Sequence, residues 1–222
     1  MDLTRSAAIP RPLFLFVVLY GGMTCIAGVL GAKQVAIGPL AVEAGIFPFL
    51  LLVAISSAVA ALYGRGEADR LVRFGFVPLI TAIVLTWIVL SLPTDEGMFE
   101  PAKEAFPIIL GQSWRLMAAG IVAYGISMTL NVHVFARLGR GRKGLLALRG
   151  AIASVISQLV DTLIFITIAF YGVRPIGELL LGQSIAKVVL SIVLVPPIIQ
   201  LLVAFARRSS VMDVPAAGRP LR

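Results

Sequence analysis

The chain has 222 residues, 59% of them hydrophobic, and a mean hydropathy of +1.00. Soluble domains contain about 45–50% apolar residues, so this composition excludes an ordinary soluble protein and indicates a membrane protein. The single cysteine, Cys25, excludes a disulfide framework, and the single histidine, His133, argues against a histidine-based metal site. The net charge of +8 does not predict a nucleic-acid partner, because the charges lie in short segments between apolar runs, where membrane orientation places them.

Six apolar runs are long enough to cross a bilayer, which requires about 20 residues of helix. The predicted spans are residues 13–30, 46–63, 74–92, 113–135, 147–171 and 176–205, and a polar tail follows at 206–222. The first run exceeds the roughly 7–15 apolar residues of a cleaved signal peptide, so we interpret it as a span. The sequence therefore predicts one domain over residues 1–222, an all-α membrane protein with six transmembrane helices bundled in the lipid bilayer.

The basic residues are distributed unevenly between the two ends of the predicted spans. Fourteen of the 19 Lys and Arg residues lie at the N-terminus, in the 2–3 and 4–5 loops with the start of span 5, and in the tail, whereas four lie at the opposite ends. Loops rich in Lys and Arg stay in the cytoplasm, so both termini are predicted to be cytoplasmic. An even number of spans agrees with this orientation.

Motifs for catalysis or nucleotide binding give only weak signals. Gly139–Gly144 formally spells GxGxxG, but the segment follows a membrane span and is rich in arginine, so it indicates a cytoplasmic loop. The sequence contains no Walker A, Gly-x-Ser-x-Gly or His-Glu-x-x-His motif. We therefore predict neither an enzyme nor a bound cofactor.

Two ionisable residues lie inside the last two apolar runs, Asp161 in span 5 and Lys187 in span 6. An ionisable group at mid-membrane costs roughly 2.5–3.5 kcal/mol on insertion scales, which makes each a candidate functional residue. Counted from the facing ends of their spans at about 1.5 Å per residue, both lie roughly 15 Å deep, near the midplane. The pattern is compatible with a structural ion pair, but it favours a substrate site that presents a carboxylate and a cation.

Further polar and aromatic residues share helix faces with this pair. Gln158 precedes Asp161 by three residues and Gln183 precedes Lys187 by four, so each amide lies on the same face as its charge. Phe165, one turn after Asp161, is placed to stack on a flat ligand, although a phenylalanine in a span usually packs. Polar groups that converge from two helices predict a site for a small polar ligand.

Span 4 carries two more candidates. Arg115 lies near its outer end, where it either snorkels to the interface or lines the entrance of a site. Asn131 lies near its cytoplasmic end and is either an interhelical contact or the inner edge of a site. In span 6, Pro196 and Pro197 are expected to kink the helix below Lys187.

Several segments resemble successive signatures of the queuosine precursor transporter family, also called the vitamin uptake transporter family. The resemblance rests on Ala123–Leu138, Gln158–Phe165, Ile168–Phe170 and Lys187–Ser191, with Phe47, Pro48, Tyr63, Gly64 and Arg115 as further matching positions. It implies a bacterial inner-membrane protein whose six helices fold like the substrate-binding subunits of energy-coupling-factor transporters.

The resemblance also implies import of 7-deazaguanine precursors of queuosine, in the 7-cyano or the 7-aminomethyl form. A guanine-like base presents a ring N–H beside an exocyclic amine, and Asp161 is the candidate to accept both. Gln158, Gln183 and Lys187 would meet the ring carbonyl and nitrogens, with Phe165 against the ring face. Because no motif for nucleotide binding was found, we expect facilitated or proton-linked alternating access.

The sequence departs from the family pattern where acidic residues are common: Ile55–Ala58 occupies the middle of span 2, Ala61 is apolar, and Asn131 stands where an aspartate is frequent. These departures leave the precise substrate open, and the coupling ion and any homo-oligomer are open as well. One rival interpretation is a substrate-binding membrane subunit for another small vitamin- or purine-like solute that needs ATP-driven partner subunits. A membrane enzyme or a structural scaffold is the other.

Overall fold

The computed structural model describes residues 9–38, 40–112, 114–139, 145–173 and 175–212, which form seven α-helices and two β-strands. The helices are α1 (Arg11–Gly31), α2 (Ile46–Tyr63), α3 (Arg65–Ser91), α4 (Glu100–Leu110), α5 (Trp114–Leu138), α6 (Leu146–Phe170) and α7 (Gly177–Met212). The strands β1 (Gln34–Ile37) and β2 (Leu40–Glu43) lie between α1 and α2.

All of these helices except α4 are long and apolar enough to cross a membrane, which confirms the predicted six-helix bundle of a multi-pass membrane protein. Helices α1, α2, α5 and α6 agree with the predicted spans to within three residues at each end. Helix α7 continues to Met212, so the first part of the predicted tail is helical, and the rest of that tail lies outside the described residues. Helix α7 also runs without interruption through Pro196 and Pro197.

Helix α3 begins at Arg65, so the predicted loop before residue 74 is wrong. Gly64 alone separates α2 from α3, and its φ of +89° is a left-handed conformation that favours glycine. The segment is helical because Ala68, Leu71 and Val72 recur at helical spacing and are buried. Its charged residues pair along the helix, Arg65 with Asp69 at 3.2 Å and Arg70 with Glu67 at 2.7 Å.

The hairpin and α4 were not predicted, so the all-α description is incomplete. Strands β1 and β2 pair antiparallel, with Ile37 opposite Leu40 at the turn. Gly38 follows β1 with φ of +58°, the conformation that tight hairpin turns require. Helix α4 lies between predicted spans 3 and 4, and a proline lies in its first turn, where a missing N–H breaks no helical hydrogen bond.

Helix α2 lies at the centre of the bundle. It contacts α1, α3, α5, α6 and α7, and these five form a ring in the order α1–α3–α5–α6–α7 that closes through contacts between α7 and α1. A helix that is apolar all round is expected to be buried, and Leu50, Val53 and Ile55 of α2 are at most 1% exposed. The ring helices expose large apolar side chains such as Phe74 and Trp87, as a surface in contact with lipid should.

The two ends of the bundle carry different elements of the fold. The hairpin, α4 and the α6–α7 connection lie at one end, which we call the hairpin side. Three hydrogen bonds tie this end together: Ala44 N–H to Lys33 O at 2.8 Å, Gln112 Nε2 to Gly28 O at 2.8 Å, and Arg115 Nη2 to Tyr171 O at 2.6 Å. The opposite end, which we call the basic side, holds the start of α1, the Gly64 link, the end of α5, the start of α6 and the end of α7.

Candidate functional site

A cavity of about 510 Å³ occupies the half of the bundle nearest the hairpin side. All six long helices, the hairpin and α4 contribute to its wall. The volume lies within the range of about 300–1,000 Å³ that is typical of small-ligand sites. The wall is mainly apolar, and its charged and aromatic residues, among those described, are Glu43, Asp161, Lys187, Phe49, Tyr124, Phe165 and Phe170.

Asp161 and Lys187 form an ion pair at the deep end of the cavity. Lys187 Nζ lies 3.1 Å from Asp161 Oδ2, and both residues are 7% exposed. The contact confirms the prediction that the two groups lie at the same depth on neighbouring helices. Ser127 Oγ donates to Asp161 Oδ1 at 3.2 Å. Because a carboxylate has about four acceptor positions, Asp161 can accept further hydrogen bonds from a ligand.

Gln158 lies one turn from Asp161 on α6, closer to the basic side, and also lines the cavity. The residue is fully buried, yet neither its Nε2 nor its Oε1 has a hydrogen-bond partner among the described residues. Burying an unpaired polar group costs about 1–3 kcal/mol. The structure therefore places an amide with a free donor and a free acceptor beside the ion pair.

Gln183 is buried but lies outside the cavity wall. Its Nε2 donates to Glu43 Oε1 at 3.3 Å, and Glu43, at the end of β2, is half-buried and lines the cavity. Gln183 therefore orients a wall residue instead of reaching the cavity itself. Sequence reasoning missed Glu43 as a site residue, because it did not predict the hairpin that carries it.

Two aromatic side chains line the cavity together with its polar groups. Phe165 packs edge-on against Phe170, with ring centroids 6.4 Å apart. Tyr124 lines the wall on α5, and its hydroxyl donates to Val72 O at 3.1 Å and lies 3.0 Å from the Tyr20 hydroxyl. These contacts hold the rings in place beside the ion pair, where a flat ligand can stack.

Sequence reasoning also missed Tyr124 and Ser127 as site residues. A signal was present, because Tyr124, Ser127 and Asn131 recur at intervals of three and four residues, the spacing of one helix face. Ser127 on this face donates to Asp161, so a polar stripe on span 4 was the clue.

Asn131 lies outside the cavity wall and joins α5 to α2. Its Nδ2 lies 3.1 Å from both Ser56 Oγ and Ser57 Oγ. This is the interhelical role that the sequence left open; none of the contacts described for Asn131 is with a residue of the cavity wall, and a role at the edge of the site stays a prediction. Asn131 and the Ile55–Ala58 segment are two of the departures from the family pattern. They contact each other through Ser56 and Ser57, outside the cavity wall.

Arg115 also lies outside the wall, at the end of α6. It donates to Ile168 O and to Tyr171 O, where the last carbonyls of the helix lack helical partners. The guanidinium therefore holds α5 against the C-terminal end of α6, and direct contact with a substrate stays a prediction.

The family described as "Putative vitamin uptake transporter" matches residues 43–201. The "Probable queuosine precursor transporter" of Bacillus subtilis (strain 168) is 34% identical over 116 residues, which cover 51% of this chain and 49% of that protein. The "Queuosine precursor transporter" of Escherichia coli (strain K12) is 28% identical over 127 residues, 56% of this chain and 52% of that protein. The chain thus spans about half the length of the curated relatives it matches, and no solved structure matches it. Because the family match covers well over half of the chain and includes every predicted site residue, the protein belongs to the vitamin uptake transporter family.

Proposed function

We propose that this protein imports queuosine precursors of the 7-deazaguanine type across the bacterial inner membrane. The observation that carries the proposal is the deep end of the cavity, where Asp161, Lys187 and the unpaired amide of Gln158 lie together in a wall that also carries aromatic residues. The names of both relatives support the same solute class.

The groups in the cavity match the edges of a guanine-like base. The Asp161 carboxylate accepts the ring N–H and the neighbouring exocyclic amine, a pair of donors that one carboxylate can take at once. Lys187 donates to the ring carbonyl, and Gln158 supplies the donor and the acceptor for the remaining edge. Phe165 and Tyr124 stack on the faces of the ring.

Orientation in the membrane makes the cavity a site for uptake. Loops rich in Lys and Arg stay in the cytoplasm, so the basic side and both termini are cytoplasmic. The hairpin side, and the cavity with it, then faces the outside, where the solute is captured. Transport proceeds by facilitated or proton-linked alternating access within a single domain over residues 1–222. A fold like that of energy-coupling-factor substrate-binding subunits is part of the same proposal.

The charges of the wall favour the 7-aminomethyl form over the 7-cyano form. Among the described wall residues, Glu43 and Asp161 are negative and Lys187 is positive, so the wall carries a net negative charge. A primary amine is cationic at neutral pH, as the reference pKa of about 10.4 for lysine indicates. Glu43 lines the cavity beside its opening and accepts a hydrogen bond from Gln183, and it is the carboxylate that meets the aminomethyl group.

Uptake by intact cells tests the proposal. Labelled 7-aminomethyl-7-deazaguanine is supplied to bacteria that lack both precursor synthesis and their own importer, with and without this protein. We expect accumulation with the wild type and none with Asp161→Asn at equal amounts in the membrane. Asp95→Asn makes the same chemical change at an exposed position outside the wall and should leave uptake intact.

Two results would contradict the proposal at different points. Normal uptake by Asp161→Asn would remove Asp161 from the binding site. No accumulation by the wild type, with the protein present in the membrane, would reject the aminomethyl compound, and the 7-cyano compound would be tested next.

Glu43→Gln should weaken uptake of the aminomethyl compound more than that of the cyano compound.

A further inference from the structure

A second group of buried polar side chains lies between the cavity and the basic side. It comprises Ser56 and Ser57 on α2, Asn131 on α5, Ser154 and Gln158 on α6, and Ser191 on α7, and we call it the polar layer. All six residues are fully buried. Gln158 belongs both to the cavity wall and to this layer, so the two are continuous.

Contacts between the helices place these residues within about one helical turn of one another. The Asp161–Lys187 ion pair fixes the antiparallel register of α6 and α7, and an added Cβ on Gly150 would meet Ile199, which fixes the register nearer the basic side. Between those two contacts, Gln158 of α6 is level with Ser191 of α7, and Ser154 lies one turn nearer the basic side. On the neighbouring helices, Asn131 contacts Ser56 and Ser57 directly, one turn from Ser127, which contacts Asp161.

The polar layer is poorly paired. Asn131 Oδ1, Ser154 Oγ, Ser191 Oγ and both polar atoms of the Gln158 amide have no hydrogen-bond partner among the described residues. Polar residues that serve as contacts between membrane helices form hydrogen bonds across the interface, as Asn131 Nδ2 does. Helix packing therefore explains the contacts of Asn131 Nδ2 with Ser56 and Ser57, and it does not explain the unpaired atoms.

Apolar and aromatic side chains close the bundle beyond the layer. Val132 and Phe135 on α5 and Val195 and Ile199 on α7 are fully buried on its basic side. The Arg149 guanidinium lies 4.3 Å from the centroid of the Phe135 ring, and its Nη2 donates to Phe135 O at 3.1 Å. The layer is thus separated from the cytoplasmic end by a seal.

We propose that the polar layer is the closed cytoplasmic half of the substrate path. This inference rests on the proposed function and adds the route by which the solute leaves. When α6 and α7 separate from α2 and α5, the serine hydroxyls, the Asn131 carbonyl and the Gln158 amide line the opening. Their unpaired atoms replace the hydrogen bonds that the solute gives up at the Asp161–Lys187 pair.

Filling the layer tests this route. Ser191→Leu adds apolar bulk at the level of Gln158, and we expect it to abolish uptake while binding from outside persists. Binding is read from Cys25, the single cysteine of the chain, which lines the cavity and should be shielded by 7-aminomethyl-7-deazaguanine from a charged thiol reagent. Ala68→Leu adds a leucine at a fully buried position outside the layer and controls for overpacking.

Access from the cytoplasmic end provides the second measurement. One cysteine is added to the chain at a time, by Ser154→Cys or by Ser191→Cys. Peptide mass spectrometry follows its modification in inside-out vesicles separately from that of Cys25. We expect the compound to speed modification of both by about tenfold, because it shifts a minor open state toward dominance. Val193→Cys, 60% exposed on the lipid-facing side of the same helix, should not respond.

The outcomes separate the two proposals. Wild-type uptake by Ser191→Leu, or no acceleration in either cysteine variant that still transports the compound, would overturn the path. Failure of the compound to protect Cys25 in the wild type would overturn the proposed function instead. The path would be supported if Ser191→Leu loses uptake while the compound still protects its Cys25, and Ala68→Leu keeps uptake.

Discussion

At the scale of single residues, a double variant separates the structural role of the Asp161–Lys187 pair from its proposed role in recognition. Removing one partner of a buried pair leaves an uncompensated charge, whereas removing both leaves none. Asp161 and Lys187 form an ion pair and both also line the cavity, so the ion pair alone does not tell a structural role from a role in binding.

Lys187→Met should lower the free energy of unfolding by about 3–5 kcal/mol, because Asp161 remains charged and buried. Adding Asp161→Asn should restore most of that stability but no uptake, because the substrate loses its acceptor. Thermal unfolding in detergent and uptake by cells measure the two effects. A double variant that is both stable and active would assign the pair to structure alone.

Gln158→Leu should lower uptake without lowering the stability of the protein. Replacing an unpaired buried amide with an apolar group of similar size is expected to leave stability unchanged or raise it, while loss of hydrogen bonds worth about 1.4 kcal/mol lowers uptake about tenfold. Thr162→Val is the control, because the Thr162 hydroxyl bonds only to Gln158 O of its own helix, at 2.8 Å, among the contacts described. A destabilised Gln158→Leu with full uptake would contradict a binding role.

At the scale of elements, the packing of α3 on α1 and α5 depends on Gly75. An added Cβ there would collide with Tyr124 Oη and lie 2.7 Å from Tyr20 Cε1. The two tyrosines bond to each other, and Tyr124 lines the cavity, so this contact links helix packing to the site.

Gly75→Ala should therefore lower the free energy of unfolding by about 1–3 kcal/mol, the usual cost of overpacking, and reduce uptake by displacing Tyr124. Gly66→Ala, on the same helix, meets nothing within 4 Å and should gain up to about 1 kcal/mol from helix propensity. Thermal unfolding of the two variants side by side measures the difference. Equal stability would show that α3 shifts to accommodate the methyl group.

At the scale of the whole molecule, the cavity and the basic side occupy opposite ends of one bundle. Cys25 marks the cavity end, since it lines the wall and is partly exposed. Orientation in the membrane therefore has a direct chemical reporter.

A charged, membrane-impermeant thiol reagent should modify Cys25 rapidly in spheroplasts and at least about tenfold more slowly in inside-out vesicles, because the closed state dominates. A C-terminal tag should be cleaved by protease only in the inside-out vesicles, as cytoplasmic termini require. Faster labelling of Cys25 in inside-out vesicles would reverse the proposed orientation.

Local chemistry made the spans and the shared depth of Asp161 and Lys187 predictable. Hydropathy along the chain depends on neighbouring residues alone, and the depth of each charge follows from counting residues to the end of its span. Whether the two groups pair stayed open in the sequence. The start of α3 was missed because its first turns are charged on one face and apolar on the other, a pattern that hydropathy averages away.

By itself, the sequence determined that the chain is a six-span membrane protein with a carboxylate and an amine at mid-depth, and its motifs indicated the family. Only the tertiary structure decided that Glu43 and Tyr124 line the cavity with this pair, that Ser127 donates to Asp161, and that Asn131 and Arg115 contact neighbouring helices. The physical reason is that helical spacing shows which residues share a face, whereas the rotation of that face toward a cavity or a neighbour is set by side-chain packing between helices.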